Sequence, residues 1–248
     1  MFNRFRSRAV LSATLKAETP LYIGAGQESF SPMAVQGSIL KNNMELPYIP
    51  GSSIKGVLRS FLESVQPAQN CVCCNGELKG KKDREAHGSA EQLAAYIADA
   101  DHSCLACRLF GSGVMAGKVK CADAALKDPG AFLRTELRSG NAIDRDTHTT
   151  ASGALFDTEA IPAGTEFSLR MTAENLLEDE ARAFSDLLAY FARGGITVGG
   201  RSRSGLGQVS VDEDGISLDF YYLNGKDYAP ARKKIALKDL AKEVTAHV

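Results

Sequence analysis

Residues 9–17 alternate strictly. Ala9, Leu11, Ala13, Leu15 and Ala17 fall on one face, and Ser12, Thr14 and Lys16 on the other, which is the period-two pattern of a half-buried strand. Glu166–Ala173 repeats it, with Phe167, Leu169, Met171 and Ala173 sharing a face. A helical pattern follows: Leu177, Ala181, Phe184, Leu188 and Phe191 recur at spacings of 4, 3, 4 and 3. Asn175 reads as its N-cap, with Glu178 completing a capping box, and Gly194 or Gly195 as its end. An earlier helix is expected from Ser52 or Ser53 to about Val65, stopped by Pro67 and Asn70, and a shorter one over about Ala90–Ala100. Lys118–Asp123, Leu206–Val211 and Ile216–Tyr222 read as strands, the last two joined by an Asp214-Gly215 turn. Residues 134–153 are rich in Arg, Asp, Thr and Gly and read as a long hairpin or loop.

The order strand, helix, strand, strand, helix, strand predicts an α+β fold, the split β-α-β of a ferredoxin-like core. RNA-binding domains of the RRM type share that sheet, but their aromatic motif is absent here. One domain of 248 residues is expected, with insertions over about 66–110 and about 134–157.

The net charge of −1 excludes a global polycation. Charge is segregated, however. Residues 1–8 hold three arginines and no acid, and residues 196–208 hold Arg201 and Arg203 and no acid. A basic groove on a neutral protein is compatible with that distribution. No apolar run approaches the roughly 18–20 residues of a membrane span. Ser12, Thr14 and Lys16 interrupt what would be a secretory core after the basic N-terminus, so a cytoplasmic protein is expected.

Four glycine-rich segments stand out: Gly24-Ala25-Gly26, Gly51-Ser52-Ser53, Gly111-Ser112-Gly113 and Gly194-Gly195 through Gly207. Gly51-Ser52-Ser53 runs into a helix carrying Lys55 and Arg59 one turn apart. Backbone N–H groups at a helix start favour anions, so this segment predicts a phosphate site. It is not a Walker A loop, because the second Gly-Lys-Ser/Thr element is missing. Gly24-Ala25-Gly26 lacks the third glycine of a dinucleotide fingerprint. No Ser/His/Asp arrangement can be built from His87, His102, His148 and His247, and Asp144 and Asp146 read as a solvated loop.

Cys71-Val72-Cys73-Cys74 and Cys104-Leu105-Ala106-Cys107 supply two C-x₂-C pairs. Cys71, Cys74, Cys104 and Cys107 would close a tetrahedral zinc site that is structural rather than catalytic. Free buried thiols remain open as an alternative, as does replacement of one ligand by Cys73 or His102. Cys121 reads as core.

Six segments together resemble the RAMP superfamily of CRISPR-associated proteins, most closely the repeated backbone subunit of type III effector complexes. They are Thr19–Gly26, Leu46–Arg59, Cys107–Ser112, Asn141–Arg145, Glu159–Gly164 and Val198–Gly207. The resemblance implies that copies stack along a CRISPR RNA and present it to complementary target RNA. Paralogous RAMP subunits and the complex's large subunit would be further partners. It implies guide-backbone contacts from Gly24, Gly26, Gly51, Ser52, Ser53, Lys55, Arg59, Asn141, Arg145, Arg201 and Arg203, and a thumb around 134–157. Many members also cleave target RNA with Mg²⁺ or Mn²⁺, using an aspartate just before a Ser-Pro step. Here Phe30 precedes Ser31-Pro32, leaving Glu28 as the nearby acid, so a weak or silent nuclease is expected. Metal-independent processing of precursor CRISPR RNA is a further alternative. It is disfavoured because no histidine lies beside the glycine loops.

Overall fold

The computed structural model describes residues 5–26, 37–66, 71–75, 85, 88–98, 102–150, 156–212, 215–223 and 229–247. Among these, eight strands form one sheet and two form a separate hairpin. The long first strand, β1 (Ser7–Ala17), lies mid-sheet. It pairs antiparallel with β7 (Glu166–Glu174) from Arg8↔Glu174 to Lys16↔Glu166. Its other edge takes β9 (Ser217–Tyr222) along its first half and β8 (Val209–Val211) at its end. Beyond β7 lie β3 (Val119–Cys121) and β4 (Ala124–Leu126), placed end to end on that one strand. The edges are β2 (Tyr48–Ile49), paired with β4, and β10 (Ala231–Ile235), paired with β9.

The predicted alternation decides which face is covered. Leu11, Leu15, Phe167, Leu169 and Met171 are buried against helices, while Ser12, Lys16, Ser168 and Arg170 are exposed on the other face. Helix α1 (Gly51–Val65) contributes Ile54, Leu58 and Leu62, three residues at i, i+4, i+8 that form one apolar stripe. Burying each such side chain contributes roughly 1.5–3 kcal/mol. In the cysteine insertion stand α2 (Val72–Asn75), α3 (Ala90–Ala98) and α4 (Leu105–Phe110). Helix α5 (Glu178–Ala192) buries Ala181, Phe184, Leu188 and Phe191, and Phe61 of α1 stacks on its Tyr190 at 4.5 Å.

Several boundaries differ from expectation. The cap of α5 is Leu177, whose N–H donates to Glu180 at 2.8 Å; leucine has no side-chain acceptor, so only the glutamate half of a capping box forms, two residues later than the sequence suggested. Asn175 instead takes a left-handed conformation, φ 50°, a turn asparagine tolerates better than most residues. Its Oδ1 accepts from the N–H groups of Arg6 and Ser7, which fastens the start of β1. Leu177 is therefore half exposed, and the apolar stripe begins at Ala181. The strand expected from Leu206 begins only at Val209, and Asp214 of the expected turn lies outside the described residues. Strand β10 and helix α6 (Leu240–His247) carried no clear sequence signal. The first reads Ala-Arg-Lys-Lys-Ile, a charged edge that discourages further pairing. The second buries only Leu240 and Val244.

The hairpin β5 (Glu136–Gly140) and β6 (Phe156–Ala160) occupies the second predicted insertion, in register from Glu136↔Ala160 to Gly140↔Phe156. Residues 141–150 beyond it are all exposed. No described helix is long and apolar enough to cross a membrane.

The register defines two ends of the sheet. The end of β1, the beginnings of β7 and β8, and the loops before β2 meet at one. The beginning of β1, the end of β7, β3 and the start of α5 meet at the other.

Candidate functional site

At the first end, glycine segments from distant parts of the chain close on one another. Tyr22 is their centre. The Gly200 N–H donates to the Tyr22 carbonyl at 2.9 Å, and the Gly207 N–H donates to that of Pro20 at 2.9 Å. A Cβ on Gly199 would stand 2.4 Å from the Tyr22 carbonyl oxygen, and one on Gly207 2.6 Å from that of Val198. These glycines allow backbones to touch before any ligand arrives. Gly24 bridges to Ile39, and Gly37 to Thr158 at the hairpin base. Gly26, φ 72°, meets open space where a Cβ would project.

Past Gly200 the chain turns outward through Arg201, φ 58°, into a single 3-10 turn of Ser202–Ser204. Arg201, Ser202, Arg203, Ser204 and Gly205 are exposed. The Arg201 guanidinium lies over two rings, 5.4 Å from the centroid of Tyr22 and 4.6 Å from that of Phe156. Asn141 and Arg145 sit farther out on the hairpin, where the Asn141 side chain donates to Thr150 at 3.2 Å. Asp144 accepts from the N–H groups of Asp146 and Thr147 and from the Thr147 hydroxyl. The Thr147 bonds hold its carboxyl below the usual range. Asp144 is thus a turn-forming residue.

Glu159 locks the hairpin base to the 37–41 segment. It accepts from Lys41 Nζ at 2.7 Å, the Thr135 hydroxyl at 2.7 Å and the Ile39 N–H at 3.2 Å. Burial is the largest influence and raises its pKa, but these donors together hold the carboxyl below the usual carboxylate range.

The start of α1 is less open than its sequence implies. Gly51 is buried, and its N–H donates to Asp123 Oδ1 at 2.8 Å. A Cβ there would come 2.2 Å from the Cys121 carbonyl oxygen, so packing against the β3–β4 turn alone requires glycine. The Ser53 N–H donates to the Pro50 carbonyl at 2.9 Å. Ser52 is exposed and Lys55 half-buried, with no ion-pair partner among the described residues. Arg59 is engaged within the protein. Its Nε donates to Glu63 at 2.8 Å, one NH₂ to the Gly111 carbonyl, and the other to Cys107 Sγ at 3.6 Å. These bonds tie it to the cysteine insertion. A cleft of about 890 Å³ runs past Lys55, Arg59, Cys74 and the Gly111–Gly117 loop.

The cysteines assemble at the other end of the sheet. One sulfur atom each from Cys71, Cys74, Cys104 and Cys107 lies within 4.8 Å of the others, and neither Cys73 nor His102 joins the group. Cys71–Cys107 is 3.9 Å, Cys74–Cys104 3.7 Å and Cys74–Cys107 3.3 Å. Four sulfurs at about 2.3 Å from a tetrahedral zinc stand about 3.8 Å apart, so the set fits that ion. The Cys104 N–H donates to Cys71 Sγ at 3.3 Å, and the Cys107 N–H to Cys104 Sγ at 3.4 Å, the donors a thiolate cluster needs. Hydrogen bonding from Cys107 draws the Cys104 thiol down to about 5. Desolvation pushes Cys74 up to about 12, and the hydrogen bond with Cys104, followed by burial, raises Cys107. Burial and hydrogen bonding to one thiolate thus keep its neighbours protonated, a cost that a bound dication offsets. Cys121 stands apart in β3, its thiol pushed up to about 11 by burial.

A buried ionic network joins this cluster to α5. Arg108, next to Cys107, pairs with Asp179 and, at 3.5 Å, with Glu180; Lys118 pairs with Glu180 at 2.5 Å. Arg108 and Lys118 are 6% and 2% exposed and Glu180 0%, so each charge depends on the others.

Of the residues expected to contact RNA, Gly24, Gly26, Arg201 and Arg203 share one end of the molecule. The sequence reading missed Tyr22, Phe156 and Glu159. A signal existed for Tyr22 alone, an aromatic residue two positions before Gly24.

An antiparallel sheet backed by helices, glycine-closed loops at one end, a projecting hairpin and a four-cysteine cluster define an α+β protein built around exposed loops. The chain belongs to the RAMP superfamily, whose sequence model matches residues 14–210. Among curated proteins it is 22% identical over 176 residues to the CRISPR system Cms endoribonuclease Csm3 of Methanocaldococcus jannaschii, covering 67% of this chain and 62% of that protein. It is 31% identical over 173 residues to the protein of the same name from Mycobacterium tuberculosis, covering 66% of this chain and 63% of that one. The matches thus span less than two thirds of either relative's length.

Proposed function

We propose that this protein is a CRISPR RNA-binding backbone subunit of a type III effector complex. In this reading it works in the cytoplasm, beside further copies or paralogous subunits and a large subunit, and presents its guide to complementary target RNA. Its core is read as ferredoxin-like: the helix-linked strands β1, β3/β4, β7 and β8/β9 stand in the order fourth, first, third, second. The hairpin acts as a thumb, and the four cysteines hold a structural zinc.

One observation carries the proposal. At the glycine end, Arg201 and Arg203 are exposed beside rigid backbone and have no ion-pair partner among the described residues. Cations left free on a preformed surface suit a phosphate backbone bound without regard to sequence.

The test is co-purification. The protein isolated from cells carrying a CRISPR array should bring down short RNA with a fixed, repeat-derived end. Arg201→Ala with Arg203→Ala should weaken binding across sequences and make the salt dependence shallower by about two phosphate contacts. RNA of random sequence and length, with an unchanged salt slope, would overturn the reading.

The relatives' printed name favours a second reading, a metal-dependent endoribonuclease. The residues at issue, Glu28 and Phe30, lie outside the described residues. With phenylalanine where an aspartate is expected, target RNA should stay intact in Mg²⁺ or Mn²⁺. Regularly spaced, metal-dependent cuts that vanish with Glu28→Ala would establish the nuclease reading instead.

A further inference from the structure

The half-buried Tyr22 ring sits in a frame of glycines. A Cβ on Gly24 would approach its hydroxyl to 3.1 Å, one on Gly37 to 3.3 Å, and one on Gly200 its Cδ1 to 3.1 Å. Three separate chain segments therefore give up side chains around a single ring. Phe156 is held similarly from the hairpin, where a Cβ on Gly140 would come within 2.5 Å of its ring. One planar cation, the Arg201 guanidinium, reaches both rings, and it is projected there by a residue held at φ 58°. A non-glycine residue in that left-handed region is uncommon and bears a conformational cost. Arg201 is exposed and has no carboxylate partner among the described residues. The rings are thus preorganised and within reach of one flat group, and an exposed cation covers them.

We propose that Tyr22 and Phe156 form a base-stacking site for one unpaired nucleotide of the bound RNA, with Arg201 moving off the rings to take that nucleotide's phosphate. The inference rests on the RNA-binding reading above and deepens it. A nucleobase offers the same flat, polarisable face as a guanidinium and a larger stacking area. Base–aromatic stacking is tolerant of sequence, as guide holding requires. A guanidinium released from ring faces gains a charge-assisted contact with phosphate in exchange for a cation–π contact. The two rings come from different elements, the Pro20–Gly24 segment and the hairpin base. An inserted base would therefore tie the hairpin to the glycine loops.

The experiment uses the full chain and single-stranded RNA carrying 2-aminopurine at successive positions. One register should show strongly changed emission on binding, and Phe156→Leu or Tyr22→Leu should abolish that change. Each substitution should weaken binding about tenfold. Neither should alter the salt slope, whereas Arg201→Ala should lower it by about one phosphate. An abasic nucleotide at the same register should cost the wild type about the same factor and cost Phe156→Leu nothing more, as for partners in one interaction. Additive losses from the abasic site and Phe156→Leu, or emission indifferent to both ring substitutions, would overturn the stacking site while leaving RNA binding intact. No RNA binding by the wild type would overturn this inference and the functional reading together.

Discussion

The two ends of the sheet treat charge in opposite ways. At the cysteine end Arg108 and Lys118 are buried and converge on Glu180, and the half-buried Arg59 is divided among Glu63, the Gly111 carbonyl and Cys107. At the glycine end Arg201 and Arg203 face solvent without a carboxylate among the described residues. A buried, paired cation has spent its interactions on the fold, and removing its partner is costly. An exposed, unpaired one contributes little to stability and keeps its charge for a ligand. In the proposed reading, the contrast separates the half that holds the protein together from the half that meets RNA.

The hardest blow to that division falls on the cysteines. Chelation of zinc, or Cys107→Ser, should unfold the insertion around α2 and α4 and lower the melting temperature substantially, because binding energy at a structural zinc is folding energy. The glycine end should keep its RNA contacts in whatever fraction stays folded. Acid should act as chelator does. The thiols of Cys74 and Cys107, whose pKa values are raised, carry protons at neutral pH without metal, and zinc must displace them. Zinc affinity, measured by competition with a chromogenic chelator, should fall as pH drops from about 8 to about 6. A metal-free protein with an unchanged melting temperature would remove the structural role from the cysteines.

Next in size is Glu180→Ala. It leaves Arg108 and Lys118 buried with no carboxylate at the centre and removes the acceptor for the Leu177 N–H. A loss of about 3–5 kcal/mol is expected in urea denaturation. RNA affinity per folded molecule should not change.

Arg59 and Lys55 sharpen the comparison, because the sequence treated them as a pair. They lie one turn apart on α1, and a helical period alone assigns both to one phosphate. The structure separates them by what surrounds each, and those neighbours are distant in sequence: Cys107 and Gly111 accept from Arg59, whereas Lys55 has no ion-pair partner among the described residues. Arg59→Ala should cost about 1–3 kcal/mol of stability and leave the salt slope of RNA binding unchanged. Lys55→Ala should do the reverse, at about one phosphate in slope. A steep loss of slope with Arg59→Ala would restore the pair.

The same distinction marks what could be read from the chain. The alternations in β1 and β7, the stripe in α5 and the two C-x₂-C pairs are local patterns, and each located its element or cluster. The glycine segments were visible, but their reason was not. Gly51 and Gly199 are fixed by carbonyls of Cys121 and Tyr22, contacts that exist only after folding. Phe156 and Glu159 carry no periodic signal, since β6 belongs to a hairpin that buries residues at its base alone. Helix α6 shows two buried residues in 8, too few to read as a stripe.

At Glu159 the glycine end behaves like the cysteine end. It is 8% exposed and paired with Lys41, which is 29% exposed at its side chain. Its pKa is depressed, so the stability it contributes is present above the ordinary carboxylate range and is lost as pH falls through the lower, folded value. Glu159→Gln keeps one acceptor oxygen, enough for either the Ile39 N–H or the Thr135 hydroxyl, and loses the charge facing Lys41. Because water still reaches Lys41, the cost should be small, about 1 kcal/mol or less at neutral pH. The variant's acid-denaturation curve should lie closer to the wild type's at low pH than at neutral pH, since both then lack the carboxylate. The latch joins the hairpin to the 37–41 segment, so RNA affinity should weaken modestly with it. Unchanged affinity would mean that the hairpin base is held by the Tyr22–Arg201–Phe156 contact and the Gly37↔Thr158 bridge alone.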